Sequence, residues 1–431
     1  MKRRSCAVFI LFLLIVLALP PPVKARDDIK AGDALTLDQC LHLALKKHPS
    51  LLAATNTIRV NESRIGQAQA NYLPQVNWQS TYTRNSPYSS NPRLSTSGEY
   101  NQYGSNVGLT QTVYDFDRTS TKVRIAKLNT DSTRLDLESA LSQLILGVKQ
   151  SYYGLIQAEK NRDVAKETVK QFEHHLRQAK AFFEVGTKPK FDVTKAEVDL
   201  GNAKLNLIRA ENTVRIARIN LNNAMGMPQA PAYTLAGDLI FQKNEVVFEE
   251  ALRKAYDTRP DLQSLLLRQE SANQAVTLAK ASHYPTLTGN ANYGYGGTET
   301  PLDKGWSVGG SLNIPIFSGF LVKNQIDEAK ANLDVLKANV ESLKQQIGLE
   351  VEQASSNVRE AFDRIGTTQL TVRQAEENVA LANGRYSSGV GSPIEVTDAL
   401  VALSNSKTAY ISALTDYKTA QASLEKAMGV R

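Results

Sequence analysis

Cysteine is nearly absent from this chain. Only Cys6 and Cys40 occur, and Cys6 falls inside an N-terminal leader, so the processed protein has one thiol and no internal disulfide. Cys40 opens an apolar helix face and reads as a small buried hydrophobe. Long apolar runs are also missing: beyond Leu19 nothing approaches the roughly 18 consecutive apolar residues of a membrane-spanning helix. Any membrane crossing by the processed chain must therefore be made by β-strands. Histidine is sparse, and His42, His48, His174, His175 and His283 are scattered without a carboxylate spacing that suits zinc. All five read as single surface histidines. There is no nucleophile elbow, P-loop or dinucleotide-binding glycine pattern. A non-enzymatic protein without metal or cofactor is expected.

The leader itself is well formed. Lys2-Arg3-Arg4 precedes an apolar run from Cys6 to Leu19, Pro20-Pro21-Pro22 breaks it, and Val23-Lys24-Ala25 offers a small-residue cleavage site. The run is too short for an anchor helix, so residues 1–25 are expected to be a cleaved signal peptide. The context of Cys6 lacks the small residues that lipid attachment requires. Removing Lys2, Arg3, Arg4 and Lys24 lowers the formal charge from +7 to +3, which takes away the case for nucleic-acid binding.

The chain repeats itself. Leu41, Ala44, Pro49, Leu51 and Pro74 recur as Leu252, Ala255, Pro260, Leu262 and Pro285. Further on, Gly186, Asp192 and Ala224-Met225-Gly226 recur as Gly389, Glu395 and Ala427-Met428-Gly429. Residues 26–229 and 248–431 are thus expected to be two structural repeats joined by a linker at 230–247. Each repeat has a helical stretch (37–72, 248–283), two short alternating segments, a very long helix (119–184, 322–386), a glycine turn and a last helix (190–225, 392–428).

The last helix shows the clearest periodicity. Val193, Ala196, Leu200, Ala203, Leu207, Ala210, Val214, Ala217, Leu221 and Ala224 alternate spacings of three and four, the seam of a left-handed coiled coil. The second copy follows with Val396, Ala399, Leu403, Ser406, Tyr410, Ala413, Tyr417, Ala420, Leu424 and Ala427, and the long helix has its own seam from Leu333 to Ile365. A helix over 119–184 would run about 100 Å, more than a globule holds. With strands at one end and the glycine turn at the other, the two shorter helices stack beside the long one, and a rod results.

The alternating segments are Val76, Trp78, Ser80, Tyr82; Tyr103, Ser105, Val107, Leu109, Val113; Leu287, Gly289, Ala291, Tyr293, Tyr295; and Trp306, Val308, Gly310, Leu312, Ile314. Each has the length and terminal aromatics of a tilted bilayer-crossing strand. The linking segments, Asn85 to Gly98 and Gly296 to Gly305, have the composition of surface hairpin loops. Four strands cannot close a barrel, and lipid does not tolerate an open edge. Insertion therefore requires several copies: two would give eight strands and a filled interior, three would give twelve and a pore. The competing reading is a secreted periplasmic coiled-coil scaffold whose hairpins pack on another protein.

With these residues in view the chain resembles the TolC family of outer-membrane efflux proteins. The resemblance rests on the opening Leu35-Thr36-Leu37-Asp38-Gln39-Cys40-Leu41 and on Asn71-Tyr72-Leu73-Pro74 before the first strand. The strand exits Gln111-Thr112-Val113-Tyr114-Asp115-Phe116 and Asn313-Ile314-Pro315-Ile316-Phe317-Ser318-Gly319 belong to it, as do the turns at Gly186 and Gly389. It implies a mainly α fold with a small transmembrane β part, a homotrimer sharing a twelve-stranded barrel in the lipid bilayer, and a periplasmic helical tunnel. As partners it implies a periplasmic adaptor protein and an inner-membrane transporter of RND, ABC or MFS type. It places the periplasmic entrance at Asp398, Glu395 and Asp192, and adaptor docking at Val185, Gly186, Thr187, Gly389, Val390 and Gly391.

Local chemistry offers a second account of the same residues. Ser392-Pro393-Ile394-Glu395 is a capping box with proline at the first helical position, and Asp192 and Glu395 favour a helix N-terminus by charge. The glycine turns read as left-handed helix caps. Asp398 lies beyond the cap, one turn from Glu395 on the same face. The first tip is basic, with Lys188, Lys190 and Lys195, while the second is acidic. Gly391 stands where the best-known member of the family has an arginine in its closing network.

Overall fold

The structure is a computed structural model that describes residues 30, 32–86, 99–237, 239, 241 and 247–430. The leader at 1–25 and most of the 85–98 loop lie outside them. A short strand β1 (Ala34–Leu35) leads into α1 (Leu37–Lys47) and α2 (Pro49–Gln69), and a 3-10 turn at Ala70–Tyr72 leads to β2 (Gln75–Asn85) and β3 (Tyr100–Tyr114). Then come α3 (Arg118–Glu184) and α4 (Lys190–Ala224). After β4 (Thr234–Leu235), which pairs in parallel with β1, the order repeats as α5 (Phe248–Thr258), α6 (Pro260–Ala281), β5 (Thr286–Gly297), β6 (Asp303–Asn313), α7 (Leu321–Ser387) and α8 (Pro393–Ala427).

Both long helices have 67 residues and span about 100 Å. The expected seams are the packed ones. Ala196, Ala203, Val214 and Leu221 of α4 are buried with their seam neighbours half-buried, and Val340, Ile347, Val351, Ala354, Val358, Ala361 and Ile365 of α7 are buried in a row. Alanines alternate with larger Val, Leu and Ile in these seams, so one helix fits into the gaps of the next. Cys40 is fully buried in the main core, and desolvation pushes its thiol up to about 12.

The first helical stretch of each repeat is broken, contrary to expectation. Residues 37–72 divide at His48 and residues 248–283 at Arg259, both extended (φ −69°, ψ 125° and φ −66°, ψ 120°). The cause is the following proline, which bars its predecessor from the helical region and opens a new helix from its first position. Each break is a socket for the end of the last helix. Gly226 (φ +70°) would place a Cβ 2.9 Å from His48 Cα, and Gly429 (φ +69°) one 3.0 Å from Arg259 Cα. The repeated Ala-Met-Gly is therefore a requirement for a bare backbone where helix end meets helix break. In the second repeat the joint is reinforced by Arg259, which is 3% exposed and donates to Glu350 (2.6 Å), Asp261 (2.6 and 3.0 Å) and the Ala427 carbonyl (3.4 Å). These bonds outweigh the desolvation that opposes them and hold the Asp261 and Glu350 carboxyls below their usual range. Gly429→Ala is expected to destabilise the fold by about 1–2 kcal/mol through a strained φ and the clash with Arg259. A thermal midpoint in detergent equal to that of the unaltered protein would contradict this.

The four long strands form one antiparallel sheet in the order β2-β3-β5-β6. The second hairpin loop is tighter than expected, since β5 continues to Gly297 and β6 begins at Asp303. At the base of the sheet the chain turns into each long helix through two left-handed residues, Phe116–Asp117 (φ 51° and 62°) and Gly319–Phe320 (φ 60° and 64°). Three of the four are not glycine, at a cost of about 1 kcal/mol each. Arg118 fixes the first corner by donating to the Ala281 and Tyr284 carbonyls (2.9 and 2.6 Å) and to Thr286 Oγ1 (3.0 Å), which ties α3 to the α6–β5 junction.

Candidate functional site

The sheet separates its residues by face. Register places Val76, Trp78, Ser80 and Tyr82 opposite Leu109, Val107, Ser105 and Tyr103. It continues with Leu109, Val107 and Ser105 opposite Ala291, Tyr293 and Tyr295, and with Leu287, Ala291 and Tyr293 opposite Leu312, Val308 and Trp306. Because side chains alternate along a strand, all of these lie on one face. The other face carries Gln75, Asn77, Gln79, Asn106, Thr110, Asn290, Asn292, Ser307 and Ser311. Among the described residues its one carboxylate is Asp303, at the far rim, and no Lys or Arg lies on it. A register shift between Thr112 and Tyr114 sets Tyr114 opposite Leu287, on the apolar face. Its ring then packs on Phe116 (4.7 Å), which stacks on Tyr284 (5.3 Å). With Phe317 and Phe320, both largely exposed, these rings form an aromatic border between sheet and helices. Trp78, Trp306 and Val308 are 73%, 78% and 75% exposed, so the apolar face is bare within one chain. Its outer strands β2 and β6 each pair on one side only.

At the opposite end of the rod the two glycine turns are helix caps. Gly186 (φ +74°) and Gly389 (φ +83°) are left-handed, and the residues after them donate back to Phe182 O and Arg385 O. Val185 and Val390 stand at the tips, each 71% exposed. Glu395 is the N3 partner of a capping box with Ser392 and also receives Arg385 Nε at 3.0 Å. Arg385 and then the Ser392 amide hold its carboxyl below the usual range. Asp398, on the same exposed face, has no ion-pair partner among the described residues.

Asp192 is placed differently. Although in the first turn of α4, it caps nothing: the N-cap is Pro189, without a side-chain bond. It is 4% exposed and accepts from the Tyr386 hydroxyl at 3.4 Å. Burial, then the Asp192 charge, pushes the Tyr386 phenol up to about 12. Two turns along, Asp199 accepts from Thr397 of α8 (2.8 Å) and from Lys195 (2.6 Å). The structure thus joins α3–α4 to α7–α8 through Asp192 and Asp199, and leaves Glu395 and Asp398 on an open acidic face.

His175 is a correction to the surface assignment. It is 1% exposed, neither ring nitrogen has a hydrogen-bond partner among the described residues, and its ring lies 5.1 Å from that of Tyr386. Burial lowers its pKa, with Asp199 and Asp192 acting in the opposite direction. The spacing Phe172, His175, Ala179 on the buried stripe of α3 identifies it. Tyr386 was visible as the hydroxyl-bearing counterpart of Phe183.

A helical rod ending in an open sheet with one apolar and one polar face defines a subunit of a membrane channel in which strands, not helices, cross the lipid. None of the helices among the described residues is long and apolar enough to cross a membrane. The model of the outer membrane efflux protein family matches residues 40–227 and again 251–430, and the chain belongs to that family. It is similar to the outer membrane protein TolC of Escherichia coli strain K12, 24% identical over 92% of this chain and 83% of that protein. Its fold is that of the CmeC outer membrane channel of Campylobacter jejuni (TM-score 0.80, 19% identity, 91% of this chain and 85% of that one). The open state of the MtrE channel of Neisseria gonorrhoeae is similar as well (TM-score 0.78, 21% identity, 91% and 89%). The protein is an outer-membrane efflux channel subunit, and the scaffold reading is set aside. The family is one of channels rather than enzymes.

Proposed function

We propose that three copies close a twelve-stranded barrel and continue it as a helical tunnel, a passive duct from the periplasm to the exterior. The observation that carries this reading is the four-stranded sheet with one bare apolar face and two unpaired edges, which lipid tolerates only when neighbouring copies supply the missing strands. The outer face of α4 supports it: Phe191, Val198, Leu205, Ile208, Ile216 and Ile219 are exposed along one side of the helix and fit a helix of a second copy. In this reading 26–229 and 248–431 act as two quasi-equivalent staves per chain, with 230–247 between them. The exposed Val185 and Val390, with Gly186, Thr187, Gly389 and Gly391, form the surface for a periplasmic adaptor. An inner-membrane transporter behind it selects what is exported.

Asp398 and Glu395 form the entrance ring, and Asp192 acts from inside the wall. Glu395 is engaged by its cap and by Arg385, so Asp398 carries the more available charge. Asp398→Ala is expected to weaken block of single-channel current by multivalent cations about tenfold in a planar bilayer, since ring carboxylates attract such ions. Unchanged block would remove Asp398 from the entrance.

A further inference from the structure

We propose that Lys188, on the first tip, is the cation that fastens the second tip of the same chain, and that Gly391 shapes its receptor. This rests on reading the tips as the channel entrance. Lys188 Nζ donates to the Gly391 carbonyl at 3.2 Å and to the Gly389 carbonyl at 3.4 Å, and stands 5.3 Å from the centre of the Tyr386 ring. An ammonium has three hydrogens and no acceptor, so two carbonyls and a π face suit it. The carbonyls are those just past the end of α7, where the helix dipole favours a positive charge.

The receptor depends on glycine. A Cβ at position 391 would lie 2.8 Å from Tyr386 N, 2.9 Å from Arg385 C and 3.0 Å from Arg385 Cβ. These are mostly backbone atoms that cannot step aside, so residue 391 folds back on the helix end only as glycine. In that fold its carbonyl points at Lys188. No side chain of any size, charged or not, fits here, and the second tip takes its cation from the first. Of the other basic groups near the tips, Arg385 is paired with Glu395 and Lys195 with Asp199, and neither meets these carbonyls.

Position along the rod gives Lys188 its role. Tyr386–Asp192 and Thr397–Asp199 join the same two helix pairs, but both are buried. Lys188 joins them outside that buried pair of bonds, beside the solvent-facing turns. A swing of α7–α8 away from α3–α4 separates its amine from both carbonyls and from the ring in one motion.

The test is single-channel recording of the full-length protein in planar bilayers, comparing it with Lys188→Met, Lys188→Arg, Gly391→Ala and the Lys188→Met/Gly391→Ala pair. Methionine keeps the length and the packing on Tyr386 while removing the charge. Lys188→Met is expected to raise the open fraction about tenfold, the effect of losing one charge-assisted contact of this kind. Lys188→Arg stays close to the unaltered protein. Gly391→Ala matches Lys188→Met, and the pair adds nothing to either because both break one contact. Spin labels at Val185 and Val390 report the same event as a wider tip separation in Lys188→Met. Pores whose open fraction and label distance are unmoved by Lys188→Met overturn the fastening role alone. A protein that forms no pore in any version overturns the channel reading and the fastening with it.

Discussion

Val308→Arg is expected to remove the protein from the outer membrane, whereas Ser307→Arg, one residue earlier, leaves it there. Val308 is the middle residue of β6, opposite Ala291 on the apolar face, and Ser307 faces the other way opposite Asn292. An arginine presented to lipid near mid-depth costs about 2–4 kcal/mol. In the proposed trimer that penalty is incurred three times in one barrel, enough to abolish insertion. An arginine at 307 projects beside Asn106 and Asn292, where water solvates it. Cell fractionation with a heat-modifiability gel reads the result. Val308→Arg in the outer membrane at normal abundance would refute the assignment of faces. Ser307→Arg should also shift the pore toward anions, because the polar face bears so little charge of its own.

Acidification from pH 7.5 to 5 is expected to loosen the tips, and His175→Leu to remove that response. The sign follows from burial. His175 is held neutral in the packed tip, so its pKa there is below that of a solvated histidine. The packed tip therefore binds fewer protons than an opened one. The stability this contributes is complete above the solvated value of about 6.5 and declines as pH falls below it, by at most about 1.4 kcal/mol per pH unit per chain. The charged groups facing His175 are Asp192, Asp199 and Lys195 of α4, with His174 beside it and Tyr386 across from it on α7. A protonated ring would draw on the two carboxylates that bind Tyr386 and Thr397, the bonds joining the helix pairs. Open fraction against pH is the measurement. Leucine fills the site without titrating, so an unchanged pH response in His175→Leu would place the sensitivity elsewhere.

Most of the architecture was legible because it is periodic. The seams from Val193 to Ala224 and from Val396 to Ala427, the two long helices and the four alternating strands all follow from spacing, and a duplicated chain states each pattern twice. The breaks at His48 and Arg259 were signalled by Pro49 and Pro260. Their purpose was not, because what docks there is a glycine more than 160 residues away in each repeat. At the tips, local sequence foretold Ser392 with Glu395, since a capping box is complete within four residues. It misplaced Asp192, whose partner Tyr386 comes from the other repeat, and it gave Lys188 only as one charge of a basic tip, because its acceptors are backbone carbonyls with no side-chain signature. His175 was hidden by its neighbour: an adjacent pair of histidines resembles surface composition until one is placed on the stripe of Phe172 and Ala179.

Everything depends on how many chains complete the barrel. Native mass spectrometry of the detergent-extracted protein measures this directly. A particle of three processed chains is the result expected of four-stranded sheets closing a water-filled pore. A stable single chain, or a pair, would contradict it.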